Sequence, residues 1–522
     1  MVFRSPFPDI SLPGQPLSTL ILERARARGA KPAYIDGLTG QTLTYAAFAD
    51  AVQRTAAGVA ARGLRKGEVC LIFSPNCLEW PVAFHAVVAA GGVVTTASPM
   101  LTAREVVSQA RDAGATWLIT HPAVLEPARM AAAAAGIERV IAFGPSHELP
   151  DGVVAFAELA NAAADGPLVE SDLDDVVLIP YSSGTTGYPK GVMITHRNLT
   201  ANALQMLAAT QMPEGARALA VLPFAHVIGT DAFLYMFPYN GMTTVVLPRF
   251  DLEQFLQAIE SHRITHVIVA PPIVLALARH PLVERYDLSS LEAIICSAAP
   301  LKADLARTCA ARIGCEVHQA FGMTELLAVS ASPLGAGHPG SAGVPIPNTE
   351  FRVVDPLTGA DLGPDEPGEL WVRGPQVMQG YLNRPDATAE LITVDGWLRT
   401  GDIGYVDQDG FIYVVDRLKE LIKYKGYQVA PAELEDILSA HPAIADAAVI
   451  GRPDESSGEI PTAYVVRSGD LSAAEIMDYV AGRVAPYKKI RAVEFVDSIP
   501  RSPVGKVLRR VLVEQERGLV SA

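Results

Sequence analysis

A surplus of positive charge is absent: the 522 residues include 42 Lys and Arg against 57 Asp and Glu, a formal −15. A general nucleic-acid binder needs the opposite balance, because its affinity comes from cationic side chains that displace counterions from phosphates. A local phosphate site is not excluded, since a few glycines and one lysine can hold a polyphosphate inside an acidic protein. Cysteine is scarce, and Cys70, Cys77, Cys296, Cys309 and Cys315 are odd in number with no CxxC pair. Neither a disulfide framework nor a zinc site is expected, and reduced thiols suit a cytosolic protein. Long uninterrupted apolar runs are missing too. Residues 81–103 carry no formal charge, but His85, Gly91, Gly92, Thr95 and Thr96 divide them into a helix followed by a strand. Residues 219–248 contain His226, Asp231, Asn240 and internal prolines, which a bilayer span tolerates poorly. The N-terminal MVFRSPFPDISLPGQPL has an acid and prolines and no apolar signal core. A cytoplasmic protein without stable membrane insertion is expected.

What is present is the balance of a folded chain, 49% hydrophobic and 19% charged, at a length that calls for two or more domains. Residues 44–64 place Ala, Val and Leu on one helical face and Arg and Asp on the other, and they end at a glycine. Residues 69–76, 117–121 and 139–144 read as short buried strands between helices, the rhythm of an α/β domain with a largely parallel sheet. The rhythm returns at 252–263 (helix), 265–272 and 291–299 (strands), so a second α/β lobe is expected. From about residue 340 the runs FRVVD, GELWVRG and GFIYVVD, separated by Gly, Pro and Asp, suggest a smaller β subdomain. Beyond DRLKELIKYKG (416–426) about 100 residues of α+β texture have the size of a separate domain. The expected division is 1–418 and 419–522.

The densest chemical signal is YSSGTTGYPKGV (181–192), directly after the apolar run VVLIP. Gly184 and Gly187 permit turns that Cβ-bearing residues resist. The hydroxyls of Ser182, Ser183, Thr185 and Thr186, the backbone amides and Lys190 can surround a polyphosphate. The spacing GxxxxGK[ST] is lacking, which sets aside the ordinary P-loop NTPase.

This segment resembles the phosphate loop of the acyl-adenylate-forming superfamily, which includes acyl-CoA synthetases, 4-coumarate–CoA ligases, peptide-synthetase adenylation domains and beetle luciferases. AFGMTE (320–325), TGD (400–402), DRLKELIKYKGYQVAPAELE (416–435) and SPVGK (502–506) match its other motifs in order. The resemblance implies a large AMP-binding domain of two α/β lobes plus a β subdomain, followed by a small mobile α+β domain. It also implies ATP, Mg²⁺ and coenzyme A, with a small-molecule carboxylic acid as substrate. A carrier protein is the alternative acyl acceptor. Light-emitting oxygenation and a non-catalytic nucleotide binder are the other rivals.

Roles carry over residue by residue. Thr324 and Glu325 resemble the pair that helps hold Mg²⁺, with Thr186 as the other metal contact, oxygen ligands suiting a hard cation. Phe321 beside Gly322 would stack on adenine, with Ala298, Ala299 and Pro300 lining the same pocket. Asp402 would accept hydrogen bonds from the ribose hydroxyls and Arg417 would contact the same ribose. Lys506 would bridge the attacking carboxylate and the α-phosphate, offsetting repulsion between two anions. His226 resembles the histidine at the mouth of the acid pocket. Lys423 and Gln428 would serve the thioester step, with Lys425 and Gly426 at the coenzyme A arm and Lys419 as the pivot of a rotating domain.

The acid pocket departs from the plant 4-coumarate–CoA ligases. Ile228 and Ile295 stand where those enzymes carry a tyrosine and a lysine that help bind the phenolic hydroxyl, and Ala320 replaces a common glycine. With Thr230, Leu327 and Val329 completing the expected lining, an apolar acid is favoured over 4-coumarate: cinnamate-like, benzoate-like or medium-chain.

Overall fold

The short apolar runs read from the sequence become the strands of two large sheets. The computed structural model describes residues 1–161, 169–182, 189–333, 335, 338–418, 420–425, 427–454, 456–502 and 505–516, and of Gln428 the backbone alone. The first sheet has eight strands in the order Gly380–Tyr381, Lys190–Thr195, Val176–Ser182, Val93–Ala97, Val69–Phe73, Ala115–Thr120, Arg139–Ala142 and Val153–Ala155. From Val176–Ser182 to Val153–Ala155 the pairing is parallel, and the first two strands run antiparallel at the edge. The helix expected over 44–64 spans Tyr45–Ala61, with the Thr44 side chain accepting from the Ala47 amide at its N-terminus. It buries Phe48, Val52 and Val59 against the sheet. Gly58 lies in this helix because a Cβ there would collide with the Leu159 carbonyl.

The second sheet has nine strands and draws on both parts of the chain. Its parallel centre is Glu316–Met323, Ala293–Cys296, His266–Val269, Arg217–Ala220 and Thr243–Val246. Next to Thr243–Val246 lies Pro32–Asp36, in parallel register with Tyr34 opposite Thr244. The lobes are therefore interleaved, not consecutive. One large hydrophobic cluster, running from Leu17 and Trp80 through Phe233 and Ile295, serves both sheets.

A five-stranded antiparallel sheet follows, with Phe3–Arg4 from the N-terminus paired to Glu350–Val354, then Gly368–Arg373, Leu398–Val406 and Ile412–Arg417. The C-terminal part has its own sheet, in which Ile444–Asp454 pairs antiparallel with Gly458–Arg467 and Ala492–Phe495 adds parallel. Helices Pro431–Ser439 and Ala473–Ala481 cover it, and its main core, from Ile422 through Leu434, Val449 and Val465 to Ile490, shares no residue with the cores of the large body. Separate cores are what make it a smaller domain. Polar contacts join the two: Lys302 Nζ lies 3.1 Å from Asp436 Oδ1, and Asp416 Oδ2 accepts from the Ala432 amide at 2.9 Å. Among the described residues no helix is long and apolar enough to cross a membrane.

Candidate active site

The motif 181–192 begins and ends in paired strands. Val176–Ser182 and Lys190–Thr195 run antiparallel, which sets Ser182 opposite Lys190. Residues Ser183, Gly184, Thr185, Thr186 and Gly187 lie outside the described residues. Glu325 is 4% exposed and its Oε1 accepts from Ser182 Oγ and from Tyr381 OH, both at 2.7 Å. Lys190 Nζ stands 4.8 Å over the Tyr381 ring. Burial and the Glu325 charge push the Tyr381 phenol up, so it stays protonated and donates. Tyr381 escaped the sequence reading. It arrives on the two-residue strand Gly380–Tyr381, 56 positions after Glu325, and no local pattern marks it.

The residues expected at the nucleoside sit on two hairpins and the turn before Pro300. Glu316–Met323 and Leu327–Ala331 pair with a bulge, and Gly322 is required because a Cβ would collide with the Leu327 carbonyl. Ser297 Oγ donates to the Ala320 carbonyl at 3.1 Å, bringing the half-exposed Ala298 and Ala299, with exposed Pro300, beside Phe321. Ala298 has φ +74°, a left-handed conformation that an Ala adopts at a cost. Phe321 is half-buried and packs against the small-sheet core, and Thr324 is half-buried beside it. In the second hairpin Asp402 sits directly opposite Arg417, and Arg417 Nε lies 3.0 Å from Asp402 Oδ1. Asp402 is 4% exposed; burial raises its carboxyl above the usual range, although Arg417 and Lys506 oppose this.

Lys506, in the small domain, acts electrostatically on this carboxylate. Burial lowers its ammonium below the ordinary value, with Arg417 acting the same way, while Glu420 and Asp402 oppose the shift. Its charge also reaches His226, whose imidazole is lowered to about 4 by burial first and by Lys506 second. His226 is therefore neutral at pH 7. Its Nδ1 accepts from the Ile228 amide at 3.3 Å, which leaves the proton on Nε2 as a donor.

Ile228, Ile295, Ala320 and Leu327 meet in the large apolar cluster next to His226. Two expected lining residues do not join them as anticipated. Val329 is fully buried in the core of the small sheet with Phe351 and Leu370. It is the extra residue of the bulge, between Ala328 opposite Gly322 and Ser330 opposite Phe321, and a bulge re-aims its side chain. Thr230 is 1% exposed and turns its hydroxyl to the Phe224 carbonyl at 2.6 Å, so it braces the bend instead of facing a ligand.

A family model for AMP-binding enzymes matches residues 21–382, and one for the C-terminal domain of AMP-binding enzymes matches 433–506. The chain belongs to the AMP-binding enzyme family. Among curated relatives of this family, 4-coumarate–CoA ligase 2 of Oryza sativa subsp. japonica is 41% identical, with 98% of this chain and 94% of that protein covered. 4-Coumarate–CoA ligase 1 of Solanum tuberosum is 40% identical over 98% of this chain and 96% of its own length. Among solved structures, ATP-bound MatB from Rhodopseudomonas palustris superposes with a TM-score of 0.88 at 29% identity, covering 96% of this chain and 100% of that one. O-succinylbenzoate coenzyme A synthetase from Bacillus subtilis, in complex with ATP and magnesium ion, gives 0.82 at 31% identity, covering 96% and 99%.

Within this AMP-binding fold the structure gathers Asp402, Arg417, Lys506 and His226 into one electrostatic group, and Ser182, Lys190, Glu325 and Tyr381 into a second. It leaves Lys423 and Lys425 exposed on the hairpin Ile422–Tyr424/Tyr427–Val429, where the Lys423 amide donates to Glu459 and Lys425 Nζ stands 5.6 Å from the Tyr424 ring. Gln428 lies opposite Lys423 in register; its side chain, Gly426 and Lys419 are outside the described residues. A divalent cation fits Glu325 in part. Oε1 is taken by two hydrogen bonds, and among the described residues none is made to Oε2, which leaves a carboxylate oxygen for a hard ion. Thr186, the other expected metal contact, lies outside the described residues.

Proposed function

We propose that this AMP-binding enzyme is an ATP-dependent acid–thiol ligase of 4-coumarate–CoA ligase type. In the first step a carboxylate oxygen of the acid attacks the α-phosphorus of ATP. The bond to the bridging oxygen breaks, pyrophosphate leaves and an acyl-AMP forms. In the second, the thiol of coenzyme A attacks the acyl carbonyl, AMP leaves and the thiol proton passes to solvent.

The observation that carries this reading is the electrostatic coupling of Lys506 with Asp402 and Arg417 on one side and with His226 on the other. A lysine there meets the ribose-side carboxylate on one flank and the acid pocket on the other, where the α-phosphate and the attacking carboxylate have to converge. Burial lowers the Lys506 ammonium, and Asp402 and Glu420 oppose that shift. The neutral His226 directs Nε2–H at the acid. Phe321 with Ala298, Ala299 and Pro300 holds adenine. Asp402 and Arg417 hold the ribose. Lys190 and residues 182–187 hold the phosphates. Mg²⁺ held by Glu325 and Thr186 would neutralise phosphate charge during transfer. The division 1–418 and 419–522, pivoting at Lys419, lets the small domain withdraw Lys506 and bring Lys423 and Gln428 to the thioester step. Lys425 and Gly426 then flank the coenzyme A arm. Ile228, Ile295, Ala320 and Leu327 favour an acid with an apolar body, cinnamate-like, benzoate-like or medium-chain.

Pyrophosphate release with ATP, Mg²⁺ and a panel of such acids, with and without coenzyme A, tests this, the thioester being followed by mass. Acid-dependent pyrophosphate with an acyl-CoA product is expected, and cinnamate should be turned over at least as well as 4-coumarate. Acyl-AMP that never becomes a thioester would point instead to a carrier-protein acceptor. Silence across the panel would refute the reading.

A further inference from the structure

The loop that presents Lys506 is closed on itself. The Ser502 amide donates to the Lys506 carbonyl at 2.8 Å, and the Lys506 amide donates to Ser502 Oγ at 3.1 Å. Before the loop, Arg501 pairs with Asp446 at 2.6 Å in a solvent-accessible contact. After it, three residues beyond Lys506, comes Arg509, whose side chain is 14% exposed. Arg509 Nη1 pairs with Glu420, and Nη2 pairs with Glu435 at 2.7 Å. Glu420 belongs to the linker beside the proposed pivot. Glu435 lies in helix Pro431–Ser439, and its other oxygen accepts from the Val449 amide at 2.8 Å. Asp416, on the last strand of the large body, also acts electrostatically on Arg509 and accepts from the Ala432 amide. Linker, helix and large body thus each contribute one carboxylate around a single guanidinium.

This constellation ties the chain that follows Lys506 to the linker and to the small-domain helix, as Arg501 ties the chain before it to Asp446. Burial raises the carboxyls of Glu435 and Asp416, and Arg509 opposes both shifts. Without the guanidinium, neighbouring buried carboxylates face one another uncompensated, and Glu420 loses its tie to the helix. A lysine would keep the charge and reach one partner, but it cannot fork to two in a plane.

We propose that Arg509 is a positioning residue for the adenylation step. By forking between Glu420 and Glu435 it fixes the linker against the small domain in the arrangement that delivers Lys506. The proposal rests on the assignment of Lys506 to that step, so the experiment includes Lys506→Met.

Two half-reactions are measured on the full-length enzyme: acid-dependent ATP–pyrophosphate exchange, and thioester formation from pre-made acyl-AMP with coenzyme A. Arg509→Met is expected to lose about 10²-fold in exchange, the penalty for a reacting group displaced by about 1 Å, and to keep thioester formation near that of the parent. Arg509→Lys is expected to fall between the two. Glu420→Gln, which removes only the linker half of the fork, should show the same selective loss, and it decides the matter if Arg509→Met does not fold. Equal loss in both half-reactions would mark an ordinary structural brace and overturn the proposal, as would intact exchange. If Lys506→Met retains exchange, the assignment beneath the proposal fails. If Lys506→Met loses exchange while Arg509→Met and Glu420→Gln keep it, only the proposal fails.

Discussion

Replacing Asp231 by Asn is expected to stabilise the protein strongly at pH 8 and much less at pH 5. Asp231 follows Thr230 on the π-helical turn Thr230–Met236, is 7% exposed, and its Oδ1 has no hydrogen-bond partner among the described residues. Burial raises its carboxyl from 3.8 to about 7. The native state therefore keeps a proton that the unfolded chain releases. The resulting cost begins as the pH passes 3.8, grows up to about 7 and is constant above that. At about 1.36 kcal/mol per pH unit the gap amounts to about 4 kcal/mol at pH 8 and about 1.5 kcal/mol at pH 5. An unfolding entropy of about 2.1 cal/mol/K per residue over a body of roughly 400 residues is about 0.8 kcal/mol/K, so Tm should rise by about 5 °C at pH 8 and about 2 °C at pH 5. Asn keeps the shape and removes the charge. Thermal scans of parent and variant, paired at the two pH values, isolate this difference. An equal gain at both, or none at pH 8, would refute the assignment of the cost to an ionised buried carboxyl.

Tyr381→Phe removes the hydroxyl that holds Glu325 Oε1 at 2.7 Å. A hydrogen bond to a charged group contributes about 1.5–3 kcal/mol, so exchange should fall by about 10- to 100-fold and need more Mg²⁺, and an unchanged Mg²⁺ titration would contradict this. His226, lowered to about 4, is neutral across the working range, so the pH profile of adenylation should show no limb from an imidazole near 6.5. A limb there that vanishes in His226→Ala would contradict the buried, neutral assignment.

Local pattern made much of this architecture legible. The helix at 44–64 and the strands at 69–76, 117–121 and 139–144 formed within a few residues of where periodicity and turn residues put them. Asp402 and Arg417 come together as opposite residues of one hairpin, a pairing that short strand-and-turn units supply locally. Long-range partners were not legible. The strand Pro32–Asp36 pairs with Thr243–Val246 and not with a strand of the first lobe, and nothing in its five residues says so. Tyr381 meets Glu325 through an edge pairing of only two residues, Val192 with Tyr381 and Met193 with Gly380. Val329, expected to line the acid pocket, is buried in the small-sheet core because it is the extra residue of a bulge that re-aims its side chain. Composition and periodicity by themselves pointed to the fold class, since that follows from residue type and near-neighbour spacing, and the chemistry came from the family resemblance that the ordered motifs carry. Which side chains face one another, and that the charge of Lys506 acts on Asp402 and His226, was decided only by packing between distant segments, where burial and charge select among pairings that the chain alone leaves open.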